Sequence, residues 1–258
     1  MYLQHYGLAQ YPFSLSPNTR YFLKLPSHQE AFNLILAALE DSRSFAIITG
    51  EVGTGKTMLC RKFLHTLEFH QNSYTTAYIP HPILTEEGIM HAIADELSLE
   101  RRSNISYYEI LKLITEKLIS ISTNDKRVVI FIDEAQALPE ETLKAVHLLT
   151  TAASSEKKLL QVILFGQPEL DLLMNRPTLQ QIKSNLSCSY QLTALDRDDM
   201  EYYIAYRLSK SGHNGPLIFT KKALDGLYAG SKGVPRLINI LAHKALMAAY
   251  GKGESLVH

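Results

Sequence analysis

Residues 45–57 read FAIITGEVGTGKT. A short strand-like run, 45–49, enters the pattern G-x-x-x-x-G-K-T at 50–57, and the helical stretch TMLCRKFLHTL occupies 57–67. Strand, glycine loop and helix in that order predict a cradle for the phosphates of a nucleoside triphosphate. Each position has a physical reason. Gly50, Gly53 and Gly55 let the backbone turn tightly and bring its N–H groups close to an anion. A helix beginning near Lys56 aims its dipole and unpaired N–H groups at the same place. Lys56 adds a point charge for the β/γ-phosphates, and the Thr57 hydroxyl is a ligand for Mg²⁺.

Outward from the loop, five runs read as buried strands of a mostly parallel sheet: 45–50, 74–80, 127–134, 159–167 and 188–195. Several lack in/out alternation, as expected of strands covered on both faces. Helical patterns fall between them at 57–69, 86–97, 107–121 and 140–153, and this alternation predicts an α/β sandwich with right-handed crossovers. A further helix is expected at 27–41, with Ser27 as N-cap and Glu30 as its capping-box partner. After Leu195 no strand is expected. Helices are predicted at 198–211, closed by Gly212, at 220–229, capped by Thr220 and stopped by Gly230, and at 235–250, opened by Pro235 and ended by Gly251. The fold class that results is α/β, a five-stranded parallel sheet core (1–195, with an N-terminal linker segment) followed by a small all-helical lid (196–258).

Bulk properties narrow the function. The 258 residues suffice for a full core. Lys plus Arg and Asp plus Glu both number 26, so the formal charge is zero and a strongly basic nucleic-acid surface is not expected. No apolar stretch approaches the roughly 20 residues of a membrane span, and the opening MYLQHYGLAQYPF lacks the pattern of a secretory signal. Cys60 and Cys188 have no CxxC spacing, and the ten histidines no zinc-type spacing, so both types read as core or surface residues. A cytoplasmic protein fits these features.

The run VVIFIDEAQ, 128–136, supplies a second element. Asp133 and Glu134 fall at the C-terminal edge of a buried strand, where α/β folds bind ligands. There Asp133 can hold Mg²⁺ and Glu134 can polarise an attacking water; read alone, the two acids serve equally as caps of the next helix. In LLQVILFGQPEL, 159–170, the strand ends in Gln167, which either reaches the γ-phosphate or lytic water or simply shares a turn with Gly166 and Pro168. In GVPRLIN, 233–239, Arg236 sits in the first turn of a helix. That position is electrostatically poor unless the guanidinium serves an anion, such as a nucleotide phosphate; otherwise it is an ordinary surface arginine.

Together PFSLSPNTRYF, GEVGTGKT, IDEAQ, LLQVILFGQPEL and GVPRLIN resemble the ExeA/GspA group of AAA+ P-loop NTPases over nearly the whole chain. Within it, MYLQHYGLAQYPFSLSPNTRYF and TAYIPHP are most similar to members associated with biogenesis of the mannose-sensitive haemagglutinin (MSHA) type IV pilus. The resemblance implies an ATPase with ATP and Mg²⁺ as cofactors. Gly50, Glu51, Val52, Gly53, Thr54, Gly55, Lys56, Thr57 and Met58 would hold the nucleotide, joined by Arg236. Thr57 and Asp133 would hold the metal, and Glu134, Lys56 and Gln167 would be catalytic. Pro12–Phe13 and Tyr21–Phe22 would lie near the adenine, although as plain aromatics they serve equally as a tether packed on the domain. Relatives can continue past the lid into a transmembrane helix and a periplasmic peptidoglycan-binding domain; neither is found up to His258, in keeping with the cytoplasmic expectation. The group tends to carry an arginine before the last strand, a candidate finger for a neighbour's γ-phosphate. LQQIKSNLSCSYQL, 179–192, has Asn185 there, with Lys183 and Arg176 the nearest cations.

The leading expectation is therefore an ATPase that drives or times assembly of a pilus or secretion complex. Its partners would be other assembly proteins, and it would oligomerise through the nucleotide site with copies of itself or a related ATPase. Two alternatives stand beside it: a DNA-associated AAA+ ATPase of the transposition-target-selection type, and a nucleotide-binding scaffold that hydrolyses little.

Overall fold

The computed structural model describes residues 2–40, 43–70, 73–82, 85–100, 105–152 and 159–258. In chain order the elements are α1 (Pro26–Glu40), β1 (Phe45–Gly50), α2 (Lys56–Glu68), β2 (Tyr74–Ile79), α3 (Glu86–Glu96), α4 (Tyr107–Ser122) and β3 (Arg127–Ile132). They continue with α5 (Glu140–Ala152), β4 (Leu160–Gly166), α6 (Glu169–Met174), α7 (Gln180–Ser184), β5 (Leu186–Leu192), α8 (Arg197–Lys210), α9 (Lys221–Ser231) and α10 (Pro235–Gly251). The expected helix ends at Asp41 and Ala153 lie outside the described residues. The chain forms two compact units, Met1–Ser27 with Val52–Met58 and Thr193–His258, and His28–Glu51 with Leu59–Leu192.

The larger unit holds the sheet. Its strands run in the order β2-β3-β4-β1-β5 and every pairing is parallel. Both faces are covered, which is why β1 and β4 are buried along their whole length and show no alternation. One face presents Phe45, Ile47, Ile130, Ile132, Val162 and Leu164 to a core shared with Ile89, Ile93, Ile110, Ile114 and Leu118 of α3 and α4. The opposite face carries a run of stacked rings, Phe32 on Phe63 (4.2 Å), Phe63 on Phe131 (6.4 Å) and Phe131 on Phe165 (6.4 Å), joining α1 and α2 to β3 and β4. α4 opens with a complete capping box, Ser106 and Glu109 each satisfying the other's backbone N–H.

Ser27 does not cap α1. Pro26 already starts that helix, and the Ser27 hydroxyl accepts the Thr193 N–H (3.2 Å) while Glu30 accepts the Tyr190 hydroxyl (2.9 Å). The short helices α6 and α7 stand where no helix is expected from the sequence.

The smaller unit packs α8, α9 and α10 around Met200, Ile204, Leu208, Ile238, Ala242 and Leu246, with Tyr2, Tyr6, Leu8 and Phe13 of the N-terminal segment in the same core. Arg207 on α8 is only 4% exposed. It donates to the carbonyls of Pro12 and Ser14 and to the Tyr203 hydroxyl, and its guanidinium lies over the Tyr21 ring at 4.7 Å. Tyr203 in turn donates to Asn239 on α10 (3.1 Å). Asp196 and Thr220 cap α8 and α9. α9 does not stop at Gly230, which is helical. It ends at Ser231, and Lys232 and Gly233 follow at positive φ; a side chain at Gly233 would fall 1.9 Å from the Leu195 carbonyl oxygen, which reserves that position for glycine. A single bridge between Phe219 and Val257 adds extended pairing where none is expected. No helix among the described residues is long and apolar enough to cross a membrane.

Candidate functional site

In a parallel sheet all C-terminal strand ends share one edge, and chain leaving that edge is free to bind ligands. β3, β4 and β1 are neighbours. Gly50 closes β1, Asp133 follows β3 and Gln167 follows β4, so these three expected site residues meet at the same edge of the larger unit. Asp133 is 3% exposed; its N–H donates to the Ile79 carbonyl (2.9 Å) and its Oδ1 accepts the Glu134 N–H (3.0 Å). Glu134 then takes the left-handed conformation, φ 53° and ψ 36°, which is uncommon for a residue with a side chain and recurs at functional turns.

That turn gathers a polar network. Glu134 Oε2 accepts from Gln136 Nε2 (2.7 Å) and from Gln167 Nε2 (3.3 Å), while Gln136 Oε1 accepts the Gln167 N–H (2.9 Å). Glu134 and Gln167, expected at one site, are thus in direct contact. Gln136 is a member that sequence reasoning missed. The only signal for it was its place in IDEAQ, two residues past the acid pair.

Beneath the edge, Cys60 is fully buried; burial first, and the Asp133 carboxylate second, push its thiol well up, with Arg61 opposing. Tyr78 on β2 is raised to about 12 by burial first and by Cys60 and Asp133 next, against a hydrogen bond from Arg61.

Beyond Glu51, the loop residues Val52, Gly53, Thr54, Gly55, Lys56, Thr57 and Met58 belong to the smaller unit. Gly53 and Gly55 have φ of +90° and +105°, the conformations that require glycine. α2 starts at Lys56, which is 6% exposed. The decisive contact joins this loop to α10. The Arg236 N–H donates to the Gly53 carbonyl (3.2 Å), and a Cβ on Gly53 would lie 2.7 Å from Arg236 Cβ and 3.1 Å from Val234 Cγ1. Arg236 itself is exposed on the first turn of α10. The structure therefore sets the expected arginine directly on the glycine loop, far from it in sequence.

Phe13 and Tyr21 are buried, Phe13 edge-on to Phe219 and Tyr21 hydrogen-bonded to Ser211 (2.8 Å). Asn185 ends α7; its carboxamide meets His147 Nε2 (3.1 Å) and its carbonyl accepts the Phe45 N–H. It lies at the N-terminal edge of the sheet, opposite to Asp133 and Gln167. Arg176 pairs with Glu140 (3.4 Å), and Lys183 donates to Asn175 (2.6 Å).

The family model for the AAA domain matches residues 39–174, more than half of the chain. The chain belongs to the AAA domain family. This AAA chain is 40% identical over its whole length to General secretion pathway protein A of Aeromonas hydrophila, and it spans about half (47%) of that protein. Among solved structures, Cdc6p of Pyrobaculum aerophilum superposes with a TM-score of 0.71 at 18% identity, covering 95% of this chain and 67% of that one. The Aeropyrum pernix ORC2 protein, in ADPNP–ADP complexes, gives 0.69 at 14% identity, with 96% and 68% covered. A variant of RuvB from Thermotoga maritima gives 0.61 at 17%, with 96% and 70% covered. At these identities the likeness is one of fold, and it makes the architecture that of an AAA/P-loop NTPase.

Proposed function

We propose that this AAA chain binds ATP with Mg²⁺ and hydrolyses it. The observation that carries the reading is the contact of Arg236 with Gly53. An exposed cation in the first turn of a helix is unfavourable by itself, and here that turn is held against a loop whose Gly53 leaves room for the close approach of Arg236 and whose helix begins at a buried lysine. Residues 50–58 would cradle the phosphates, with Lys56 and Arg236 as the cations. Thr57 and the buried Asp133 would hold Mg²⁺, a hard cation that suits hydroxyl and carboxylate oxygens. Bound metal supplies charge neutralisation at the phosphates. Glu134 would accept the proton of the attacking water, and Gln167, already bonded to that carboxylate, would orient it.

We further read the chain as a nucleotide-binding domain, 1–195, with a helical lid, 196–258. It would act in the cytoplasm to drive or time assembly of a type IV pilus of the MSHA kind or a related secretion complex, oligomerising through the nucleotide site. Identity of 40% across the full chain to General secretion pathway protein A supports the secretion link, and the opening stretch 1–22 together with TAYIPHP supports the pilus branch.

Calorimetry with Lys56→Ala tests the site: tight binding of ATP–Mg²⁺ is expected to vanish, and unchanged affinity would remove the assignment of 50–58. Glu134→Gln is expected to bind nucleotide yet turn over about 10²–10⁴-fold more slowly. Asp133→Ala is expected to lose the dependence of binding on Mg²⁺.

A further inference from the structure

Gln136 is the one side chain that bonds to both Glu134 and Gln167 among the described residues. The two ends of its carboxamide act differently, the Nε2 as donor to Glu134 Oε2 and the Oε1 as acceptor of the Gln167 N–H. A carboxylate offers about four lone-pair sites on two oxygens, and the donors that reach Glu134 side-on both go to Oε2. Among the described residues Oε1 has no hydrogen-bond partner. The backbone fixes this arrangement. Glu134 is left-handed and Ala135–Ala137 form a tight helical turn, so residues 134 and 136 present their side chains to one another. A side chain at Gly166 would meet Leu170 Cδ2 at 2.7 Å and Gln136 Oε1 at 3.2 Å, so glycine there leaves room for both beside the end of β4.

We infer that Gln136 is a positioning residue: it ties down Glu134 Oε2 so that Oε1 faces the reacting water, and it keeps the end of β4, with Gln167, in register with that carboxylate. The inference rests on the reading of Glu134 as the general base. Supporting groups of this kind act through the residue they orient, and their loss typically costs about 10–100-fold.

Three variants separate the possibilities. Gln136→Ala loses both bonds. Gln136→Glu keeps an acceptor for the Gln167 N–H but loses the donor and sets a like charge beside Glu134. In the nucleotide-free protein, hydrogen exchange at the Gln167 amide is expected to speed up in Gln136→Ala and to stay slow in Gln136→Glu. In steady-state hydrolysis both variants are expected to lose about 10–100-fold in kcat with KM for ATP little changed, and neither loses further when combined with Glu134→Gln. A purely structural glutamine would behave differently, with Gln136→Glu restoring turnover along with the protected amide, and that result would overturn the inference. So would faster turnover in Gln136→Ala, since it would mean the glutamine restrains Glu134. Wild-type turnover in Gln136→Ala, with turnover lost in Glu134→Gln, would overturn this inference and leave the general base standing. Wild-type turnover in Glu134→Gln would overturn the base assignment and the inference with it.

Discussion

Replacing Gly53 by alanine tests the contact on which the functional reading depends. The new Cβ would sit 2.7 Å from Arg236 Cβ, whereas ordinary contact begins near 3.4 Å, so the first turn of α10 would have to retreat about 0.7 Å or the loop would have to distort. Either movement lengthens the Arg236 N–H bond to the Gly53 carbonyl, now 3.2 Å, past hydrogen-bond range. Three costs arise: about 1–2 kcal/mol for alanine at positive φ, about 1 kcal/mol for the backbone hydrogen bond, and about 1–3 kcal/mol for overpacking. Relaxation follows the cheapest combination, and about 2–3 kcal/mol of it is expected to fall on nucleotide binding, roughly a 30–150-fold rise in Kd by the usual conversion of about 1.4 kcal/mol per decade. Isothermal calorimetry with ATP–Mg²⁺ measures it. Because the tightest clash is with Cβ, only glycine at 236 relieves it. Gly53→Ala is therefore expected to cost much less in an Arg236→Gly background than alone. Affinity of Gly53→Ala within about threefold of wild type, or an identical penalty in both backgrounds, would refute the close approach of α10 to the loop.

Other perturbations probe separate parts of the molecule. Arg207→Met strips the Pro12 and Ser14 carbonyls and the Tyr203 hydroxyl of a buried donor and is expected to cost about 2–5 kcal/mol in urea unfolding followed by circular dichroism; a loss below about 1 kcal/mol would show that the N-terminal segment is held by its apolar side chains alone. Tyr2 and Tyr78 are pushed up to about 12, mainly by burial, against about 10 in the unfolded chain. Their neutral forms thus add stability that is complete below about pH 10 and lost as pH rises towards about 12. Phenolate absorbance should show a late component that shrinks in Tyr78→Phe, and folded protein titrating wholly near pH 10 would contradict it. The wild-type protein alone is expected to be a slow ATPase, since an arginine finger is worth about 10³–10⁵ in rate and Asn185 is engaged with His147 instead. Phosphate release should rise in Asn185→Arg if neighbouring subunits meet there, and brisk basal turnover by wild type would refute the premise.

The sheet was legible because it is covered on both faces. β1, β3 and β4 are apolar almost throughout, and such runs mark buried parallel strands without alternation. β1 ends at Gly50 as expected, whereas β2, β3 and β4 stop short of the expected Pro80, Glu134 and Gln167, since a residue leaving the sheet looks the same in sequence as one still inside it. β5 was displaced by two or three residues for the opposite reason: LSCSYQL is an edge strand, half polar and half-buried, with little apolar signal. α6 and α7 have six and five residues, fewer than two turns each, too short for a helical period to register. Caps and stops were misread at Ser27 and Gly230 because the decisive partners, Thr193 and Leu195, lie far along the chain.

The same distinction between local and distant determinants runs through the site. The glycine loop is written in eight consecutive residues because the end of β1, the turn and the start of α2 are contiguous in the chain. Gln136 lies within IDEAQ without any signal of its own, since its contacts depend on Glu134 turning left-handed and on β4 lying beside β3. Arg207 shows the limit most clearly. In DMEYYIAYRLSK it looks like a cation in the last turn of an exposed helix, where it would favour the dipole. In the fold it is buried, its donors taken up by two carbonyls and a hydroxyl and its face by the Tyr21 and Tyr203 rings. Those carbonyls belong to PFSLS, the stretch carrying the resemblance at the N-terminus. Through Tyr203 the guanidinium is one hydrogen bond from Asn239, three residues along α10 from Arg236. The N-terminal segment is therefore hydrogen-bonded to α8, and α8 in turn to α10, the helix whose first turn carries the Arg236 N–H bond to Gly53.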